Sequence, residues 1–186
     1  MPIDLTGFET SGYDAIFEDY ELESFVVSTT PVLDRNPPIH HWRASALYKH
    51  NGEIYSTVLE AGTKPGMEFP CNMVISVTNE DIAMVPEATI QWVCDSFSDK
   101  NPRVTLKQIL EIMVFYKMHA FKSDKKGYGC LTWVSGLLIV LEMHGVLPAG
   151  SYEEVKKVAE KARLGGRVPS DFNDTRNADF IYPGIF

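Results

Sequence analysis

Asn51-Gly52 is the feature that most narrows what this chain can fold into. It separates residues 39–48 from residues 53–60, two runs rich in β-branched and aromatic side chains. A two-residue Asn-Gly connection suits a type I′ turn, which needs positive φ at both central positions and matches the twist of its flanking strands. The two runs are therefore expected to pair as an antiparallel hairpin. Residues 21–33 read as another strand, which Pro31 limits to an edge or ends. Further strands are expected at 66–78 and 81–85, with a break at Pro70, while 89–97 fits strand or helix equally well by periodicity.

The pattern changes near residue 100, where helical signals take over. Thr105-Leu106-Lys107-Gln108 is a capping box, and Leu106, Ile109, Leu110, Met113, Val114 and Met118 form one apolar stripe, so a helix is expected over 106–121. A second starts near Cys130 and stops near Gly145, with Pro148 just beyond. A third, capped by Ser151-Tyr152-Glu153-Glu154, runs to about residue 164, where Gly165-Gly166 terminates it. The aromatic last twenty residues are expected to pack back on the body. The expected class is α+β: an antiparallel sheet from the N-terminal half packed against helices from the C-terminal half. With 186 residues, 45% of them hydrophobic, one domain over 1–186 can bury a core without disulfide or metal staples.

Charge and cysteine usage exclude several function classes. Residues 1–34 hold Asp4, Glu9, Asp14, Glu18, Asp19, Glu21, Glu23 and Asp34 with no Lys or Arg, within a net charge of -8. Such a surface repels phosphate backbones, so nucleic acid is not an expected partner. Cys71, Cys94 and Cys130 are odd in number and widely spaced, which indicates neither a disulfide framework nor a zinc knuckle and fits a reducing compartment. The start of the chain lacks an apolar secretion core, and residues 131–143 are too short and interrupted to span a bilayer. A soluble, cytoplasmic protein with no membrane span is expected; oligomeric state is not legible.

Cys130 follows Gly127-Tyr128-Gly129 at the head of the apolar run 131–143. Unpaired amide N–H groups and the positive end of a helix dipole favour a thiolate there, and the thiolate is the nucleophile. The glycines would let the backbone turn into the helix and leave the sulfur uncovered. A buried structural cysteine is the competing reading. A nucleophile needs a base. His50 lies beside the hairpin turn, and His119 and His144 lie late in their helices. His40 and His41 lie on an expected strand, where neighbours face opposite ways. Alternation groups His40 with Trp42, Ala44, Ala46 and Tyr48, the more core-like set, and His41 with Arg43, Ser45 and Leu47. By patterning, His40 is the one turned toward the helices. Opposite facing also argues against a metal site built on both, and no metal or cofactor is implied.

His41-Trp42 on a strand, the Gly-containing hairpin turn, and Cys130-Leu131-Thr132-Trp133-Val134 at a helix start together resemble the circularly permuted papain-like proteins. That group includes the lecithin:retinol acyltransferase and phospholipase/acyltransferase relatives, and the Cys-x-x-Trp-Val helix is similar to that of small uncharacterised fungal proteins. The resemblance covers residues 38–60 and 127–145 and implies a papain-like fold with Cys130 as nucleophile and His41, directly before Trp42, as base. It places the family's second polar histidine at Ser56, and Gly129 where the family usually has Asn. Tyr55, Ser56, Thr57 or Glu60 could orient the imidazole instead, and Glu60 carries the charge to stabilise an imidazolium. The Cys130 backbone N–H, beside Gly129, would be the oxyanion donor. Trp42, Tyr48, Tyr55, Tyr128 and Trp133 would suit an apolar or aromatic substrate. The implied chemistry is acyl transfer or hydrolysis through a Cys130 thioacyl intermediate on a small-molecule or acyl substrate. The other reading is a catalytically silent papain-like domain that binds a small molecule or a protein partner.

Overall fold

The computed structural model describes residues 3–32, 39–64, 66–68, 70–81, 90–95, 97, 103–123 and 129–164. Its class is α+β. Strands β1 (Leu22–Val32), β2 (Ile39–His50), β3 (Glu53–Gly62), β4 (Val74–Asp81) and β5 (Ile90–Cys94) form one antiparallel sheet in the order β4-β3-β2-β1-β5. Helices α1 (Leu106–Phe115), α2 (Cys130–Met143) and α3 (Ser151–Leu164) follow.

The hairpin forms as its turn chemistry dictates. Asn51 and Gly52 both take positive φ, 52° and 88°, and the register runs from His50 opposite Glu53 to Arg43 opposite Glu60. β1 is an interior strand, although Pro31 suggested an edge. The proline is tolerated because β5 pairs with β1 only from Phe25 to Thr29, so near Pro31 β2 is the one partner among the described residues. The strand expected at 66–78 starts only at Val74. Of the one expected at 81–85, Asp81 closes β4 and the remainder lies outside the described residues. The ambiguous segment 89–97 resolves as β5. On the outer side of β4, Glu9 exchanges backbone hydrogen bonds with Ile75 and Val77, which covers an otherwise open edge.

Alternation along the strands sends Phe25 and Val27, Trp42, Ala44, Ala46 and Tyr48, Leu59 and Ala61, and Ile75 and Val77 into one core with the helices. From the helices come Leu106, Ile109, Leu110 and Met113 of α1 and Trp133, Leu137, Leu138 and Leu141 of α2, all fully buried. Each large aliphatic chain so placed contributes roughly 1.5–3 kcal/mol. Ala44 and Ala46, small and at the centre of β2, leave room for α2 to lie against β2 and β3.

The helix ends separate local from long-range causes. The capping box of α1 is present: the Thr105 amide donates to Gln108 Oε1 at 2.9 Å and the Gln108 amide to Thr105 Oγ1 at 3.4 Å. α1 nevertheless stops at Phe115 rather than near 121, because Lys117 adopts a left-handed conformation (φ 52°) and the chain continues as a short 3-10 turn over Met118–Ala120. Met118 stays buried, so the apolar stripe is honoured by a bent path instead of a longer helix. α2 ends in a Schellman motif: Gly145 at φ 66° donates to Glu142 O, and Val146 donates to Leu141 O, both at 2.9 Å. α3 is not capped as its sequence suggested. Ser151 is already helical and its hydroxyl donates to Pro148 O at 2.8 Å. The Glu142 carboxylate of α2 instead accepts from the Gly150 and Tyr152 amides, placing an anion at the positive end of α3.

Candidate active site

His41 is the third residue of β2, paired with Thr30 of β1 and just past the stretch over which β2 and β3 pair. Arg43 lies directly opposite Glu60, so Glu60 is one diagonal step from His41. His41 Nε2–H donates to Glu60 Oε2 at 2.9 Å. The imidazole is also hydrogen-bonded to Cys130, the first residue of α2. The side chains of His41 and Glu60 are 27% and 34% exposed, so the group opens to solvent on this side.

Electrostatics within the trio are strongly coupled. Burial alone pulls the His41 pKa down, but the hydrogen bonds to Cys130 and Glu60, with their electrostatic attraction, outweigh it and raise it from 6.5 to about 10. At neutral pH His41 therefore holds its proton. The hydrogen bond from His41 keeps the Glu60 carboxyl below its usual 4.5 against the opposing effect of burial, helped by the charges of His41 and Arg43. The imidazole thus contacts both the Glu60 carboxylate and Cys130.

Gly129 precedes Cys130 for reasons of space. Its φ of 173° is extended backbone open to any residue, so no special turn is required. A Cβ there would instead run into Met73 Sδ, with Phe121 Cε1 at 3.2 Å. Its carbonyl accepts the Trp133 amide at 2.7 Å and so begins α2. Gly127 and Tyr128 lie outside the described residues.

His41, the histidine that the facing argument turned away from the helices, is bonded to Cys130. Trp42, Ala44, Ala46 and Tyr48 do point into the core, while His41, paired with Thr30 of β1 and past the last β2–β3 pair, makes the bond to Cys130. The His40 backbone pairs with Pro31, and its side chain lies outside the described residues. Of the four candidates for orienting the imidazole, Glu60 alone does so among the described contacts. Ser56 is far along the hairpin, opposite Leu47, fully buried with its hydroxyl donated to Glu80 O at 3.0 Å. Tyr55 donates to Glu53 and Thr57 bonds Tyr48. Trp42 and Trp133 are core rather than substrate-lining: they are 3% and 0% exposed, and Trp133 Nε1–H donates to Met118 O at 3.3 Å.

Sequence reasoning passed over Arg43. Alternation set it apart from the core, yet it is 7% exposed, with Nη1 3.6 Å from Glu80 Oε2. Its Nε and Nη2 have no hydrogen-bond partner among the described residues. Among those residues there is no cluster of three or more His, Cys, Asp or Glu side chains able to hold a metal ion, and no helix long and apolar enough to cross a membrane.

A family model described as "Domain of unknown function (DUF7770)" matches residues 24–173, which include Cys130, His41 and Glu60, so the chain belongs to that family. Neither curated proteins nor solved structures give a match.

Proposed function

We propose that this member of the DUF7770 family is a papain-like cysteine enzyme that transfers or hydrolyses acyl groups, with Cys130 as nucleophile, His41 as acid and base, and Glu60 as the group that positions His41. The observation that carries the reading is a single imidazole bonded to Cys130 on one side and to Glu60 on the other. Cys130 and Glu60, far apart in the chain, both bond that ring, in the order nucleophile, base, orienting group that covalent catalysis needs. In the proposed reaction the Cys130 thiolate attacks an ester, thioester or amide carbonyl and forms a C–S bond. The tetrahedral oxyanion sits at the start of α2, where the first-turn amide N–H groups and the helix dipole favour negative charge. Collapse breaks the bond to the leaving group, which takes the His41 proton. Water or an amine, deprotonated by His41, then attacks the thioacyl carbon and regenerates the thiolate. Glu60, at the place in the site that an imidazole at 56 would not reach, keeps the ring in one orientation and balances its charge.

The test is alkylation by iodoacetamide at pH 7, resolved by cysteine. An ordinary thiol ionises near pH ~8.5, so about 3% is thiolate at pH 7 and full pairing with an imidazolium can raise the reactive fraction by up to ~30-fold. Cys71 is the fair comparator because it is also half-buried, whereas Cys94 is buried. Cys130 is expected to label roughly ten- to thirtyfold faster than Cys71, an advantage that His41→Ala removes. Equal labelling of Cys130 and Cys71, or a Cys130 rate indifferent to His41→Ala, would overturn the nucleophile and favour a non-catalytic binding domain.

A further inference from the structure

Arg43 is a buried cation whose hydrogen-bonding capacity is largely unused. It is 7% exposed, and the two groups without a partner among the described residues are Nε and Nη2. These are not an arbitrary pair. Nε–H and the adjacent Nη2–H form the side-on fork of a guanidinium, two nearly parallel donors spaced to match the two oxygens of a carboxylate. The remaining nitrogen, Nη1, faces Glu80 at 3.6 Å, too far for a good hydrogen bond, so this neighbour takes up only part of the charge and leaves the fork alone. A lysine would satisfy the same electrostatic role without presenting such a fork, and buried donors without acceptors are costly to retain.

The fork belongs to the candidate active site by position. Arg43 is the cross-strand partner of Glu60, whose carboxylate binds His41, and its charge acts on that carboxylate. It is two residues from His41 on the same strand, roughly 7 Å away along it. The neighbouring His41 and Glu60 side chains are 27% and 34% exposed, whereas the fork nitrogens are themselves buried.

We propose that the Nε/Nη2 fork of Arg43 binds a carboxylate of the substrate, so that the compound acted on at Cys130 is an ester, thioester or amide that also bears a free carboxylate a short spacer from the reacting carbonyl. The substrate assignment rests on the acyl-transfer reading, but the carboxylate site itself is tested without catalysis. In Cys130→Ala protein labelled with 15N, titration with succinate is expected to shift the Arg43 Nε–H resonance saturably, while the neutral isostere succinamide leaves it in place. Arg43→Lys, which keeps the charge and loses the fork, is expected to weaken succinate binding at least tenfold. No saturable shift with succinate, an equal response to succinamide, or unchanged succinate affinity in Arg43→Lys would each overturn the carboxylate site. If Arg43→Lys does not fold, the Arg43 resonance in the Cys130→Ala protein decides the matter by itself. Failure of the nucleophile reading would appear in the alkylation rates and leave this titration untouched.

Discussion

Replacing Glu60 by Gln keeps the shape of the side chain and removes its charge, so it isolates what the His41–Glu60 pair contributes to folding. The bond spans 2.9 Å and both partners are charged at neutral pH. Charge-assisted hydrogen bonds contribute roughly 1.5–3 kcal/mol. Glu60 is 34% exposed, so solvent screening favours the lower end, about 1.5 kcal/mol. For a chain of this length that loss lowers Tm by roughly 3–6 °C. The pH dependence gives the sharper check. The folded pKa of His41, about 10, lies above its unfolded value of 6.5, so its contribution is fully present below pH 6.5 and is lost as pH rises through about 10. The folded pKa of Glu60 lies below 4.5, so its contribution is present above that pH and is lost as pH falls through the folded value. Thermal unfolding followed by circular dichroism should therefore show the widest gap between wild type and Glu60→Gln from about pH 5 to pH 6.5, closing toward pH 10.5. In a His41→Ala background the cost of Glu60→Gln should shrink to what its charge contributes beside Arg43. A gap as wide at pH 10.5 as at pH 6, or none at pH 6, would refute the coupling.

Three other substitutions test the framework around the site. Gly129→Ala drives a Cβ into Met73 Sδ and should destabilise by roughly 1–3 kcal/mol in urea unfolding, with Met73→Ala in the same chain recovering part of the loss. Lys117→Gly removes the cost of a left-handed non-glycine residue and should raise stability by roughly 0.5–1 kcal/mol, read as a higher Tm. Thr105→Ala breaks the capping box and should cost about 1 kcal/mol, with faster amide hydrogen exchange confined to the first turn of α1.

Features written in adjacent residues were legible in the sequence, and features made by distant contacts were not. Asn51-Gly52 specifies its own dihedrals, so the hairpin and its register follow from two residues. Thr105 with Gln108, and Gly145 after α2, likewise carry their caps within a few positions. The end of α1 is different: no glycine or proline marks Lys117, and the bend there brings Phe121 to bond Met73 and places the chain beside the start of β4. The start of α3 depends on Glu142, eight to ten residues earlier, which no local capping rule consults.

The candidate site divides along the same line. Cys130 could be singled out from its place before an apolar helix, and Glu60 was within reach of the hairpin register, since counting outward from the turn sets it opposite Arg43. Alternation between His40 and His41 did not select the residue bonded to Cys130, because face alone does not say how far a side chain reaches: His41 pairs with Thr30 of β1 but lies past the last β2–β3 pair. Arg43 was missed for the complementary reason: the pattern that removed it from the core says which side of the sheet a residue takes, not whether that side is covered. Burial turns an arginine that patterning would leave in solvent into one with an unfilled fork, on the residue opposite Glu60. The cysteine thus marks the candidate site in the sequence, while Glu60 and Arg43 join it only when the strands are placed side by side.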